Sequence, residues 1–116
     1  MTKGLDTGTW TITDNADWVL PLEWVDEKTG LPIDMSGSTF AIHLKKDPAQ
    51  AVPDLALATG SGITSVDLAN GRISIQIEDE ALLPGLYYGD IIQIDGGLRT
   101  HLIDLEVDIE LGPTRP

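Results

Sequence analysis

Two histidines, a row of four alternating carboxylates and three tryptophans are the residues of this sequence whose types bear on chemistry. His43 and His101 are its only histidines. Neither has a Ser, Cys or Asp around it in the spacing of a catalytic set, and a triad or a zinc site needs two or three convergent groups. Lone histidines in strand-like segments are ordinary surface or interface residues in most proteins. His43 falls on the outward parity of its segment. His101 falls on the inward parity of the final one, where a partly buried, hydrogen-bonded ring is expected. Gly96-Gly97 and Gly60-x-Gly62 precede no Lys and no helix of the phosphate-binding kind, so they read as turn glycines. No catalytic, cofactor-binding or metal-binding residue is assigned, no cofactor is expected, and the chain is expected not to be an enzyme.

The acidic row is Asp104, Glu106, Asp108 and Glu110, alternating with Ile103, Leu105, Val107, Ile109 and Leu111. In a strand all four carboxylates line one face, neighbours about 6.6–7 Å apart. At that spacing each like-charge pair costs only about 0.6 kcal/mol in water. The plain reading is a solvated outer face that also discourages unwanted edge pairing. The functional reading is a docking strip for basic side chains. A calcium site is a weaker reading still, because no Asp-x-Asp-x-Asp-Gly loop exists to wrap the ion.

Trp18 and Trp24 share the parity of Leu20 and Leu22 and belong to a core. Trp10, near the N-terminus, is the tryptophan that reads as an interface anchor. Trp10, Asp104, Glu106, Asp108 and Glu110 are thus the candidate interface residues.

The elements that must position these residues are strands. The apolar period is two nearly throughout. Trp10 and Ile12 alternate with threonines, then Trp18–Trp24 alternates in turn; Pro21, which donates no ladder hydrogen bond, assigns that strand to an edge or a bulge. Phe40, Ile42 and Leu44 oppose Ala41, His43 and Lys45. The stretch from Asp47 to Gly62, punctuated by prolines and glycines, is the expected mobile loop, with a short strand near Leu55–Ala58. Asn70-Gly71 and Asp95-Gly96-Gly97 are hairpin turns. Ile73, Ile75 and Ile77 face inward, as do Ile103, Leu105, Val107 and Ile109. No 3.6-residue apolar stripe runs for three turns. About seven short strands with negligible helix predict an all-β, antiparallel sandwich.

Bulk properties bound the rest. The 116 residues suffice for one domain with its own core. The chain has no cysteine, which excludes disulfides and thiolate metal sites. Seven basic against nineteen acidic residues leave a net charge of −12, which repels phosphate backbones and anionic membranes, so neither nucleic acid nor membrane is an expected partner. No apolar run approaches the ~18 residues of a membrane span, and the first residues lack a signal-peptide core. A soluble cytoplasmic product is expected. Residues 1–116 read as a single domain whose ends, about 1–7 and 112–116, are polar and rich in Pro and Gly and form extended arms that order on neighbours.

The order of turn motifs carries a resemblance. Gly8-Thr9-Trp10 leads into Asp17–Trp24. Gly30-Leu31-Pro32-Ile33-Asp34-Met35-Ser36-Gly37 then precedes Phe40, Asn70-Gly71-Arg72-Ile73 follows, and Leu83-Pro84-Gly85-Leu86-Tyr87-Tyr88-Gly89-Asp90-Ile91 opens the penultimate strand, before an ending in Pro113-Thr114-Arg115. The sequence resembles small tailed-phage virion proteins related to the N-terminal domain of baseplate upper proteins, which carry a G-x-P-x-D-L-x-G step and an L-P-x-G-x-Y-x-Y-D step. Met35 replaces the usual Leu, and Gly89 stands just before Asp90. The resemblance implies an immunoglobulin-like sandwich in a tail, baseplate or other virion structure, with no catalytic residues to carry over. Its partners would be copies of itself and other virion proteins. A capsid decoration or head-fibre protein satisfies the same sequence. A different class, a carbohydrate-binding sandwich using Trp10 and Tyr87 or Tyr88, takes a glycan as partner instead.

Overall fold

A computed structural model describes residues 7–79 and 81–114. Eight strands follow one another: β1 (Thr7–Thr13), β2 (Trp18–Glu23), β3 (Thr39–Lys45), β4 (Leu55–Thr59), β5 (Gly62–Asp67), β6 (Arg72–Ile77), β7 (Gly85–Asp95) and β8 (Leu98–Glu110). The only helical element among the described residues is one 3-10 turn, Leu68–Asn70. The period-two pattern therefore reads the class correctly: all-β, almost without helix.

The strands form one sheet in the order β1-β8-β7-β3-β4-β5-β6-β2. Its pairing corrects the expected purely antiparallel arrangement of about seven strands, because β1 runs parallel to β8 and β4 parallel to β5. The reason is connectivity. β1 and β8 are the distant ends of the sequence, so no tight hairpin imposes the opposite direction on them. The β4–β5 link is only two pairs long, Ala58 with Gly62 and Thr59 with Ile63. The sheet curves round on itself. Its two outermost strands come together at the far side, where the Trp10 and Trp18 rings lie 4.9 Å apart, and the whole is nearly barrel-shaped. Pro21 sits in β2, an edge strand, as its missing N–H requires.

Inside lies one core. Phe40, Ile42 and Leu44 of β3, Ile91 and Tyr87 of β7, and Leu105, Val107 and Ile109 of β8 face Ile73, Ile75 and Ile77 of β6, Ile63 of β5 and the half-buried Trp18, Leu20 and Leu22 of β2. Met35 and Trp24, from the extended connections, close its ends.

Two turns show why glycine is needed. The β7–β8 hairpin has only Gly96 and Gly97 between the paired Asp95 and Leu98, both at positive φ (58° and 88°), the conformation of a type I′ turn. The turn at Asn70-Gly71 is longer than expected. Asn70 ends the 3-10 turn and Gly71 alone takes φ 68°. A Cβ on Gly71 would lie 2.6 Å from the Ile33 carbonyl oxygen and 2.8 Å from that of Trp24.

Of the terminal arms, residues 1–6 and 115–116 lie outside the described residues. Thr7 is already within β1. Gly112 donates its N–H to the Asp14 carboxylate at 2.9 Å and Asn15 donates to the Thr114 carbonyl at 2.9 Å, so residues 112–114 are held by their own chain.

Candidate functional site

The chemistry-bearing residues converge on one surface, the outer face of β1, β8, β7, β3 and β4. Register fixes the rows. Asp104 of β8 lies opposite Asp90 of β7, which lies opposite His43 of β3, followed by Ala56 of β4. The next row holds Thr9, Glu106, Tyr88 and Lys45, the one beyond it Thr11, Asp108 and Leu86, and the last Thr13 with Glu110. On the other side of Asp104 comes a row of His101, Ile92, Ala41 and Ala58, then Arg99, Ile94 and Thr39. One half of the face is thus acidic, and the other presents the half-buried Ile92 and Ile94 between small residues of β3 and the exposed His101 and Arg99 of β8.

The acidic row lies where the alternation places it. Asp104, Glu106 and Glu110 are exposed and Asp108 is half-buried. The threonines of β1 border one side of it and Leu86 and Tyr88 the other, with 40% and 38% of their surface open to solvent.

His101 departs from the sequence reading. It is exposed, on the outer face. A β-bulge is responsible: Ile91 pairs with Ile103 but Ile92 pairs with His101, leaving Leu102 as the extra residue. Leu102 and Ile103 both turn inward, and every residue of β8 before them changes face. The ring nevertheless finds a hydrogen bond. His101 Nε2 donates to Asp104 Oδ1 at 2.8 Å and stands 3.9 Å from Asp90 Oδ2. His43 is exposed, as its parity indicated.

Trp10 also departs from its expected place. Parallel pairing with β8 sets it opposite Val107 on the inner face, where it is 9% exposed and packs on Trp18. Its indole contributes to the seam between the outermost strands. Of the two tyrosines, Tyr87 is buried and Tyr88 looks outward.

Between β3, β7 and β8 the outer face dips into a cavity of about 430 Å³, lined by His43, Lys45, Pro48, Tyr88, Asp90 and Asp104 among others. The sequence singles out Asp104 and Tyr88 but neither Asp90 nor Lys45. Those emerge only from cross-strand register. One wall belongs to the segment expected to be a mobile loop. Asp47 accepts from the Ala49 N–H, Gln50 Oε1 accepts from the Asp47 N–H, and Asp54 accepts from the Lys46 N–H. Lys45 Nζ donates to the Gln50 carbonyl at 2.7 Å, tying the loop to β3.

Among the described residues no three His, Cys, Asp or Glu side chains gather in a way that would hold a metal ion. No described helix is long and apolar enough to cross a membrane.

No family model matches the sequence, and no curated protein matches it. Solved structures do. The N-terminal domain of phage TP901-1 ORF48 matches with a TM-score of 0.58 at 18% identity, over 89% of this chain and 85% of that one. A structure of VGSC beta subunits, from a study of their multimeric cell-adhesive interactions, matches at 0.50 and 11% identity over 95% and 97% of the two chains. The NK cell receptor Nkp44 matches at 0.50 and 10% identity over 90% and 98%. At such identities the likeness is one of fold. The resemblance to small tailed-phage virion proteins, carried by the turn motifs, is therefore met by a structural likeness to a phage protein domain over most of the chain.

Proposed function

We propose that this chain is a non-enzymatic structural module of a tailed-phage particle, in the tail or baseplate, acting through protein–protein contacts. The observation that carries this reading is the composition of the outer face of β1, β8, β7, β3 and β4. Ile92 and Ile94, half-buried and flanked by Ala41 and Thr39 on β3 and by His101 and Arg99 on β8, form an apolar patch with a polar border, and Glu106, Asp108 and Glu110 a charged half, the juxtaposition of apolar and charged surface that protein interfaces use. A basic surface on another virion protein fits the acidic half. The fold likeness to a phage domain supports the same assignment.

The finer architecture proposed is an immunoglobulin-like sandwich bent at the β4–β5 joint. The order β8-β7-β3-β4 corresponds to strands G-F-C-C′ of a variable-type domain, and β5-β6-β2 to D-E-B. Tyr87 supports it further: near the start of the F-equivalent strand, its hydroxyl donates to the Leu83 carbonyl at 2.7 Å, the tyrosine-corner arrangement.

The test is incorporation. In purified particles the wild-type chain is expected at a fixed stoichiometry. The double reversal Asp108→Lys, Glu110→Lys should lower its occupancy about 5-fold, the equivalent of roughly 1 kcal/mol, while circular dichroism stays unchanged. A chain absent from particles and monomeric at high concentration would reject the assignment.

A further inference from the structure

The cavity between β3, β7 and β8 offers a chemistry that an assembly face does not need. Two carboxylates, Asp90 and Asp104, supply acceptors. Lys45 gives one N–H to the Gln50 carbonyl and keeps two more, and His43 adds an imidazole that accepts or donates. Tyr88 and Pro48 provide apolar surface beside these groups. The volume, about 430 Å³, falls within the range of small-molecule sites.

Each simpler ligand class meets an obstacle. An anion faces Asp90, Asp104 and a chain of net charge −12. A guanidinium or ammonium ion only donates, and would sit beside the Lys45 ammonium with nothing to offer it. A metal ion lacks a convergent donor set among the described residues. A neutral polyol suits the mixture. Each hydroxyl both donates and accepts, and the C–H face of a pyranose ring matches the tyrosine ring and the proline.

Part of the site is set in place before any ligand arrives. His101 donates to Asp104 at 2.8 Å from outside the cavity. Cross-strand pairing fixes Asp90 between Asp104 and His43. The Asp47, Gln50 and Asp54 hydrogen bonds shape the loop that carries Pro48. Such preorganisation lowers the ordering cost of binding.

We infer that this cavity is a binding site for a neutral saccharide of one or two rings, with Tyr88 and Pro48 against the ring and Asp90, Asp104, His43 and Lys45 bonding its hydroxyls. The site lies in the middle rows of the same face, but its ligand is a small molecule, so its test on the isolated chain is independent of whether that chain enters particles.

Amide chemical shifts of the full chain, recorded during titration with glucose, galactose, rhamnose and N-acetylglucosamine, test it. At least one sugar is expected to shift His43, Lys45, Tyr88, Asp90 and Asp104 saturably. Tyr88→Ala and Asp90→Asn should each weaken that binding about 10-fold or more, the equivalent of ~1.4 kcal/mol per lost contact. Gln76→Ala, on the outer face of β6, should leave it unchanged. Tyr88 is already 38% exposed, so its truncation leaves the core intact and the fold measurable by the same spectra. Four sugars without a saturable shift would overturn the site. So would saturation unaffected by both variants, or arginine hydrochloride filling the cavity more tightly than any of the sugars.

Discussion

Tyr87 shows how one side chain settles a local structure. Only 2% of it is exposed, and its hydroxyl reaches the Leu83 carbonyl four residues back, fixing the bend that leads into β7. Burial pushes its phenol above the ordinary tyrosine value, and the negative charge of Asp54 adds to the shift. The folded state thus holds this proton more tightly than the unfolded chain does. The associated stability is complete below the unfolded tyrosine value of about 10 and is lost as pH rises through the higher folded value. Tyr87→Phe is expected to cost about 1 kcal/mol at neutral pH, the net worth of one hydrogen bond, with the difference from wild type narrowing above pH ~10. Urea melts of both proteins across that range measure it; a gap that widens with alkalinity would contradict the buried neutral phenol. The same residue marks a limit of sequence reading. Tyr87 and Tyr88 are equal candidates for a sugar platform in the sequence, and only the register of β7 against β3 and β8 separates the buried ring from the exposed one.

Among the elements, the link between β5 and β6 is tightly constrained. The Gly71 carbonyl accepts from the Trp24 N–H at 2.9 Å, and the chain passes so close to Ile33 and Trp24 that no side chain fits. Gly71→Ala combines a left-handed backbone with that collision. It is expected to destabilise by at least ~1–3 kcal/mol, read as a lower thermal midpoint with β-rich circular dichroism retained below it. A midpoint equal to wild type would mean that the turn relaxes freely. The position of this turn is legible in the sequence because Asn-Gly between alternating segments has a local mechanism; its 3-10 form and its approach to Ile33 and Trp24 are not. The strand alternation is legible for the same reason, and it places the acidic row, His43 and most of the core. What escapes is set by pairing between distant segments. The Leu102 bulge, which turns His101 outward, leaves no mark in the alternation before it. The inward face of Trp10 depends on a parallel partner almost a hundred residues away. Asp90 and Lys45 become site residues only once β3, β7 and β8 lie side by side.

At the scale of the whole molecule, charge and topology divide the labour. The carboxylates on the outer face disfavour edge pairing with a like-charged sheet, and the fold depends on the core behind them. The parallel pairing of β1 with β8 has a mechanical consequence. β1 leads away from Thr7 toward one end of the molecule, and β8 leaves at that same end through Glu110. Tension applied at residues 7 and 112 therefore pulls the two strands past each other along their length. All seven rungs, Thr7 with Asp104 through Thr13 with Glu110, carry the load together, and the bond from the Asp14 N–H to the Glu110 carbonyl continues the ladder, with the Asp14 carboxylate holding the Gly112 N–H beyond it. Handles at residues 85 and 110 sit instead on neighbouring ends of the β7–β8 hairpin, where the rungs break singly, in succession. In single-molecule pulling, where the unfolding rate governs rupture, the first geometry should hold to a clearly higher force than the second. Equal rupture forces would mean that the β1–β8 ladder bears no tension. A module loaded in the first way stays folded under stretch, so force entering at one end of the domain leaves intact at the other.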